Sequence, residues 1–216
     1  MTLRRELADL PFFSVLTPHE DGLAAGESYD GCHFSGVTIA GDMAGGSSFM
    51  ECAFSDLTLD GVQCRKSRFS EVWLRDVRLL SADLAESSWL DATFLGCAAA
   101  GVQAFGASLR RVVFHECKLD SVNFRGAVLA EVVFEGCLLR DVDFGGATLK
   151  RARFPGSRLT RADFSRATLE KVDLRGAELE ITAGYESLRG AVIDSAQLMA
   201  IAPMLARQLG IDVKDA

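Results

Sequence analysis

The stretch "VNFRGAVLAEVVFEGC", Val122–Cys137, places Phe124, Leu129 and Phe134 five residues apart. A strand face repeats every two residues and a helix face about every 3.6, so neither accounts for this spacing. The same step runs without a slip from Phe34 to Leu179 through thirty positions, all of them apolar. An internal period of this kind outranks local propensity in deciding a fold.

Two residues before each large side chain stands a small one: Val122, Ala127, Val132, Cys137, Val142, Ala147. Two residues after it glycine recurs, at Gly126, Gly136, Gly146, Gly156 and Gly176. A large inward residue, a small inward one and a turn-tolerant position describe a short flat face followed by a corner. From Phe114 to Leu169 the large position alternates Phe and Leu, so stacked neighbours lie an even number of units apart. Two faces cannot enclose a core. Cys97, Cys117 and Cys137 lie twenty residues apart, as do Cys32 and Cys52, which points to four faces per coil. Like side chains then stack on like along a solenoid. Thirty units at four per coil give about 7.5 coils, a rod ~36 Å long at a strand-like ~4.8 Å per coil.

The units "ADL" (Ala82–Leu84), "VNF" (Val122–Phe124), "VDF" (Val142–Phe144), "ADF" (Ala162–Phe164) and "VDL" (Val172–Leu174) resemble the pentapeptide-repeat family. The resemblance covers roughly two-thirds of the chain. It implies an all-β solenoid, a right-handed quadrilateral β-helix. The handedness comes from the resemblance and not from the spacing.

Residues 1–28 precede the repeat, residues 29–193 carry it, and residues 194–216 form a C-terminal helical cap in this reading. Leu7, Leu10, Phe12, Phe13, Val15 and Leu16 need cover, while the solenoid leaves Trp73, Leu80, Leu90, Leu95 and Phe105 pointing outward. Either the N-terminal segment folds back over that surface or it is a partly ordered tail. After Leu179 the phase breaks at "EITAGYES", and Leu188 and Ile193 resume a five-step in shifted register. "DSAQLMAIAPMLARQLGI" reads as helix, with Asp194 and Gln197 as a capping box and Gly210 as the stop. Pro203 is expected to kink or split it. Leu198, Ile201, Ala202, Leu205 and Leu209 form an apolar stripe that caps the last coil, with any surplus able to pair two copies. The C-terminal segment resembles that of the fluoroquinolone-resistance (Qnr-type) pentapeptide proteins. That resemblance implies a homodimer; capping alone is the alternative.

Recognisable catalytic chemistry is not expected. Five cysteines (Cys32, Cys52, Cys97, Cys117, Cys137) take the small inward position and Cys64 a large one, which reads as reduced core side chains. His19, His33 and His115 are scattered, the last two predicted outward. "AGDMAGGSS" (Ala40–Ser48) lacks the lysine of a phosphate loop, and "GCHFSG" lacks a nucleophile-elbow serine. Asp83, Asn123, Asp143 and Asp163 share one column, which the repeat itself explains. No enzyme, cofactor or metal is therefore anticipated. With no apolar run of membrane length and no signal-like N-terminus, the cytoplasm is the expected compartment.

The formal charge of −7 and pI near 5.0 argue against direct nucleic-acid binding. Residues 1–104 hold fifteen acidic and seven basic side chains, a balance of −8, whereas residues 105–216 hold fifteen and sixteen, a balance of +1. Glu51, Glu71 and Asp91 fall in one predicted column, Asp56 and Asp76 in the next. Like charges one coil apart repel, which suggests an acidic strip for a basic partner. Arg151, Arg153, Arg158, Arg161, Arg166 and Lys171, interleaved with acids, mark the other end. The Qnr-type resemblance implies a rod of duplex-DNA size and charge that engages DNA gyrase or topoisomerase IV and shields it from poisons. The alternative is an adaptor rod for another protein, with the outward column Trp73–Thr93–Val113–Val133 as its contact.

Overall fold

The computed structural model describes residues 6–214, and in it each five-residue unit makes one side of a square tube. Every fifth residue from Gly26 to Gly176 stands at a corner with φ between +49 and +75°. Seventeen of these corners are not glycine, although the left-handed region disfavours other residues by about 1–2 kcal/mol. The coil-to-coil ladder holds them there: the corner amide of Glu51 donates to the Ser70 carbonyl at 3.0 Å, and that of Gly136 to the Pro155 carbonyl at 2.9 Å.

Three faces are parallel ladders. The first runs from Ser28–Asp30 to Thr168–Glu170 in eight strands, and the third from Thr38–Ala40 to Glu178–Ala183, also in eight. The second, seven strands long, runs from Thr17–Pro18 through Cys32–Ser35 to Val133–Glu135. The fourth is joined by single bridges through Met43, Gln63, Asp83, Gln103, Asn123, Asp143 and Asp163. On this face a tight turn follows the large residue, as where the Ala127 amide donates to the Phe124 carbonyl at 3.0 Å. The carboxylates and the amide of its column cap those turns. Asp83 accepts the Ala85 amide at 3.0 Å, Asn123 that of Arg125 at 3.0 Å, and Asp143 that of Gly145 at 2.7 Å. This is the physical reason for Asp or Asn in the repeat.

Inside, like stacks on like. Phe94, Phe114, Phe134 and Phe154 pile along one axis with ring centroids 4.5, 4.9 and 4.9 Å apart. The small inward position takes Ser or Cys where a carbonyl is in reach: Ser67 donates to Ala44, Ser157 to Phe134, and Cys137 to Phe114. All six cysteines are free. Burial pushes the Cys52 and Cys64 thiols up to about 12, so both stay protonated at neutral pH. Where the large position shrinks to Ala99 and Ala104, an apolar void of about 50 Å³ opens beside Trp89, Leu109 and Phe114.

Ladder pairing starts upstream of the sequence repeat. Thr17–Pro18 pairs with Cys32 and His33, the His19 ring lies 4.7 Å over Phe34, and Tyr29 stacks 4.8 Å from Phe49. The solenoid therefore has about eight coils. His33 points outward as its phase predicts, in register with Ala53, and is half-buried there within 2.8 Å of the Ser55 hydroxyl.

At the other end one helix, Ser195–Gln208, runs unbroken through Pro203, with the capping box formed as expected. Gln197 does more than cap its helix. Its buried amide donates to the carbonyls of Leu174 (2.6 Å) and Ala177 (2.7 Å) and accepts the Asp194 amide at 2.9 Å. The last coil is thus closed by a polar side chain with every partner in place. No helix among the described residues is long and apolar enough to cross a membrane.

Candidate functional site: the acidic corners

The parallel register brings Glu51, Glu71 and Asp91 onto the corner between the first and second faces, one coil apart. Asp56 and Asp76 occupy the corner between the second and third faces. Both columns sit at left-handed corners, which project side chains away from the tube on either side of the second face. At ~4.8 Å per coil, a column of carboxylates has a step on the order of the ~3.4 Å phosphate rise along one DNA strand.

The five acids are not equivalent. Arg111 lies one coil beyond Asp91 and holds it through two bonds of 2.6 Å. That guanidinium keeps the Asp91 carboxyl below the ordinary carboxylate range. Asp76 is 3.4 Å from Arg75, which also binds Glu6 at 2.7 Å. Glu51, Asp56 and Glu71 have no ion pair among the described residues. Asp91 is thus the neutralised end of the strip. The signal for this was the twenty-residue step itself, which carries the column from Asp91 on to Arg111.

Beyond Arg111 the ladder alternates in sign. Arg151 reaches back to Glu131 on the same corner, Arg161 to Asp141, and Lys150 reaches forward to Glu170 at 3.1 Å. Arg158 pairs with Glu178 at 2.6 Å. These guanidiniums hold Glu131 and Asp141 below their ordinary range. Each exposed pair adds little stability, but together they cancel the field of the C-terminal coils.

The second face between the acidic corners is covered near its start. Leu10 and Phe12 pack with Ala53, Trp73 and Leu95, with Leu7 and Leu16 alongside. Residues 7–16 therefore fold back over the solenoid; residues 1–5 lie outside the described residues. This corrects the outward column: Trp73 is 2% exposed and Thr93 is also buried, so neither offers a free contact. Leu90 remains exposed, and Phe105 carries the Arg65 guanidinium 5.1 Å from its ring centroid.

The C-terminal stripe does not bury as a unit. Ile201 is 3% exposed and caps the coil, Ala202 and Leu205 are half-buried, and Leu198 and Leu209 face out, Leu209 at 76%. Met199, Ile211 and Val213 extend that exposed apolar surface. Among the described residues no cluster of His, Cys, Asp or Glu could hold a metal.

Residues 107–183 match the family described as Pentapeptide repeat region. A search of curated proteins gave no match. Among solved structures, the chain is similar to a trypsin-treated variant of QnrB1, a plasmid-mediated fluoroquinolone resistance protein. They share 24% identity over 92% of this chain and 100% of that one, with a TM-score of 0.51. It is also similar to HetL, a pentapeptide repeat protein involved in heterocyst differentiation regulation in the cyanobacterium Nostoc. Here identity is 19% over 80% of this chain and 92% of that one, with a TM-score of 0.42. Repeat, stacked core and fold match converge: residues 107–183 carry a pentapeptide repeat region, and the chain has the fold of a right-handed quadrilateral β-helix of about eight coils with a single C-terminal helix.

Proposed function

We propose that this rod binds DNA gyrase or topoisomerase IV in the cytoplasm through its N-terminal acidic corners and protects the enzyme from topoisomerase poisons. The observation that carries the proposal is the pair of acidic columns, Glu51–Glu71 and Asp56–Asp76, projecting from one end of a rigid rod. The fold likeness to a fluoroquinolone resistance protein supports the same reading. Catalysis and cofactors have no part in it: the protein acts by occupying a basic saddle built for DNA. Two copies pair through the outer apolar side of the C-terminal helix, exposed Leu198 and Leu209 with half-buried Leu205 between them, which doubles the length of the rod. The test is a supercoiling assay with and without a poison, in which stoichiometric protein restores activity. No effect on gyrase or topoisomerase IV at any ratio would end the proposal.

One observation favours a second reading, a structural or adaptor rod for another protein. Ion pairing along the later coils leaves them near charge balance while the first half carries −8, so the rod does not copy DNA along its length. Recovery of a different protein by affinity capture, together with an unaltered gyrase assay, would favour it.

A further inference from the structure

We infer that the void in the core beside Ala99 and Ala104 is a binding site for one small apolar molecule, of the size of a xenon atom or a two-carbon hydrocarbon. The inference goes beyond the proposed function and does not rest on it, since the site lies inside the tube and uses none of the acidic corners.

The site comes from one deficient layer. Trp89, Phe94, Ala99 and Ala104 supply the large position on the four faces of one coil, so two adjacent faces receive only a methyl group. One coil on, the same two columns return to Leu119 and Phe124. The backbone cannot move in to fill the gap, because Ala98–Ala100 is held in register with Arg78–Leu80 on one side and Lys118–Asp120 on the other. The missing side chains therefore persist as about 50 Å³ of space. Burial of the walls shows the same gap. Leu84 keeps 9% and Phe114 7% of their surface accessible, whereas Leu129, Phe144 and Leu149 in the later coils keep none.

The lining selects an apolar occupant. Its buried polar atoms already have partners: the Trp89 indole N–H donates to the Ser87 hydroxyl at 2.9 Å, and the Cys97 and Cys117 thiols donate to the Leu95 and His115 carbonyls, each at 3.4 Å. Lys118 borders the void from an outward, exposed position. A water placed inside would lack the roughly two to four partners it needs, so the void stays dry. An apolar guest supplies the dispersion contacts that the walls lack on that side.

Size is set as well. An engineered apolar cavity of about 150 Å³ takes benzene, and this one has about a third of that volume. A second void of about 20 Å³ lies beside Cys64 and Phe69, and Leu79, Leu84 and Trp89 line both. That shared layer stands between the two, so the core offers a pocket and not a channel for an alkyl chain.

Methyl-resolved NMR of the full chain under xenon pressure tests this. The methyl resonances of Leu79, Leu84, Leu109 and Leu119 are expected to shift and saturate, while those of Leu149 and Leu159 in the closed core stay fixed. Ala99→Leu occupies the same space and should abolish the shifts; Ala104→Leu should abolish them independently. In urea denaturation, xenon at about ten times its dissociation constant should lower the unfolding equilibrium constant about eleven-fold, and should leave that of Ala99→Leu unchanged. Absence of shifts, shifts spread equally over the closed core, shifts that persist in a folded Ala99→Leu or Ala104→Leu protein, or water cross-peaks to the lining methyls would each overturn the inference.

Discussion

Arg111 sits one coil beyond Asp91 on the same corner and grips both of its carboxylate oxygens, Nε to Oδ1 and Nη2 to Oδ2, each at 2.6 Å. The acidic strip ends at this pair. Because the folded-state value of Asp91 is depressed, its stabilising contribution is complete above the ordinary carboxylate value of about 3.9 and is lost as pH falls through the lower folded value. Carbon-detected NMR titration should place Asp91 below that ordinary value, and Arg111→Gln should return it there. An Asp91 titrating normally in the unsubstituted protein would refute the pairing.

The core claim is equally exposed to test. Phe134 is fully buried between Phe114 and Phe154 at 4.9 Å on either side. Phe134→Ala is expected to cost about 3–5 kcal/mol by urea denaturation, since the stack cannot collapse without breaking ladders on three faces. A loss below about 1 kcal/mol would mean that the column is not continuous.

Ala99 breaks its column, which otherwise reads Ile39, Leu59, Leu79, then Leu119 and Leu139. Ala99→Leu should fill the void of about 50 Å³ there. A gain of about 1 kcal/mol in urea denaturation is expected.

The five-residue step made most of this fold legible before any coordinates. Phe34 to Leu179 is one uninterrupted signal, and because each coil packs only on its neighbours, a column read from twenty-residue spacing becomes a physical stack. What stayed hidden lay off the period. His19 and Thr17 join the first coil through a fifteen-residue offset that no repeat marks. Gln197 was legible as a capping-box residue but not as the plug of the last coil, because that role depends on carbonyls of Leu174 and Ala177 that only the closed coil brings together. The site was half legible. The stacking of Glu51 on Glu71 and of Asp56 on Asp76 could be read from the spacing, but Asp91 belonged with Arg111, and the cover over Trp73 followed from stranded apolar residues without being decided by them.

The C-terminal helix separates two roles that the apolar stripe had merged. Gln197→Ala leaves the carbonyls of Leu174 and Ala177 unpaired and should destabilise the protein by about 2 kcal/mol. Leu205→Glu/Leu209→Glu should change stability by less than about 1 kcal/mol, since the sites are half-buried and exposed. In light scattering the same variant should fall to the 23.3 kDa monomer. An unchanged mass would take the helix out of the dimer.

Asp91 also sorts the acidic strip by function. Paired as it is, Asp91→Asn should leave partner binding within about two-fold, whereas the combined carboxamide variant at Glu51, Asp56, Glu71 and Asp76 should weaken it several-fold and more so at low salt. Equal effects would show that the corner pair does not screen Asp91.

The most direct test of the central claim is gyrase supercoiling in the presence of a fluoroquinolone, titrated with the intact protein and with that four-site variant. Rescue near one equivalent by the intact protein, lost or shifted to much higher ratios in the variant, is the predicted result. Rescue by both proteins alike, or by neither, would contradict it.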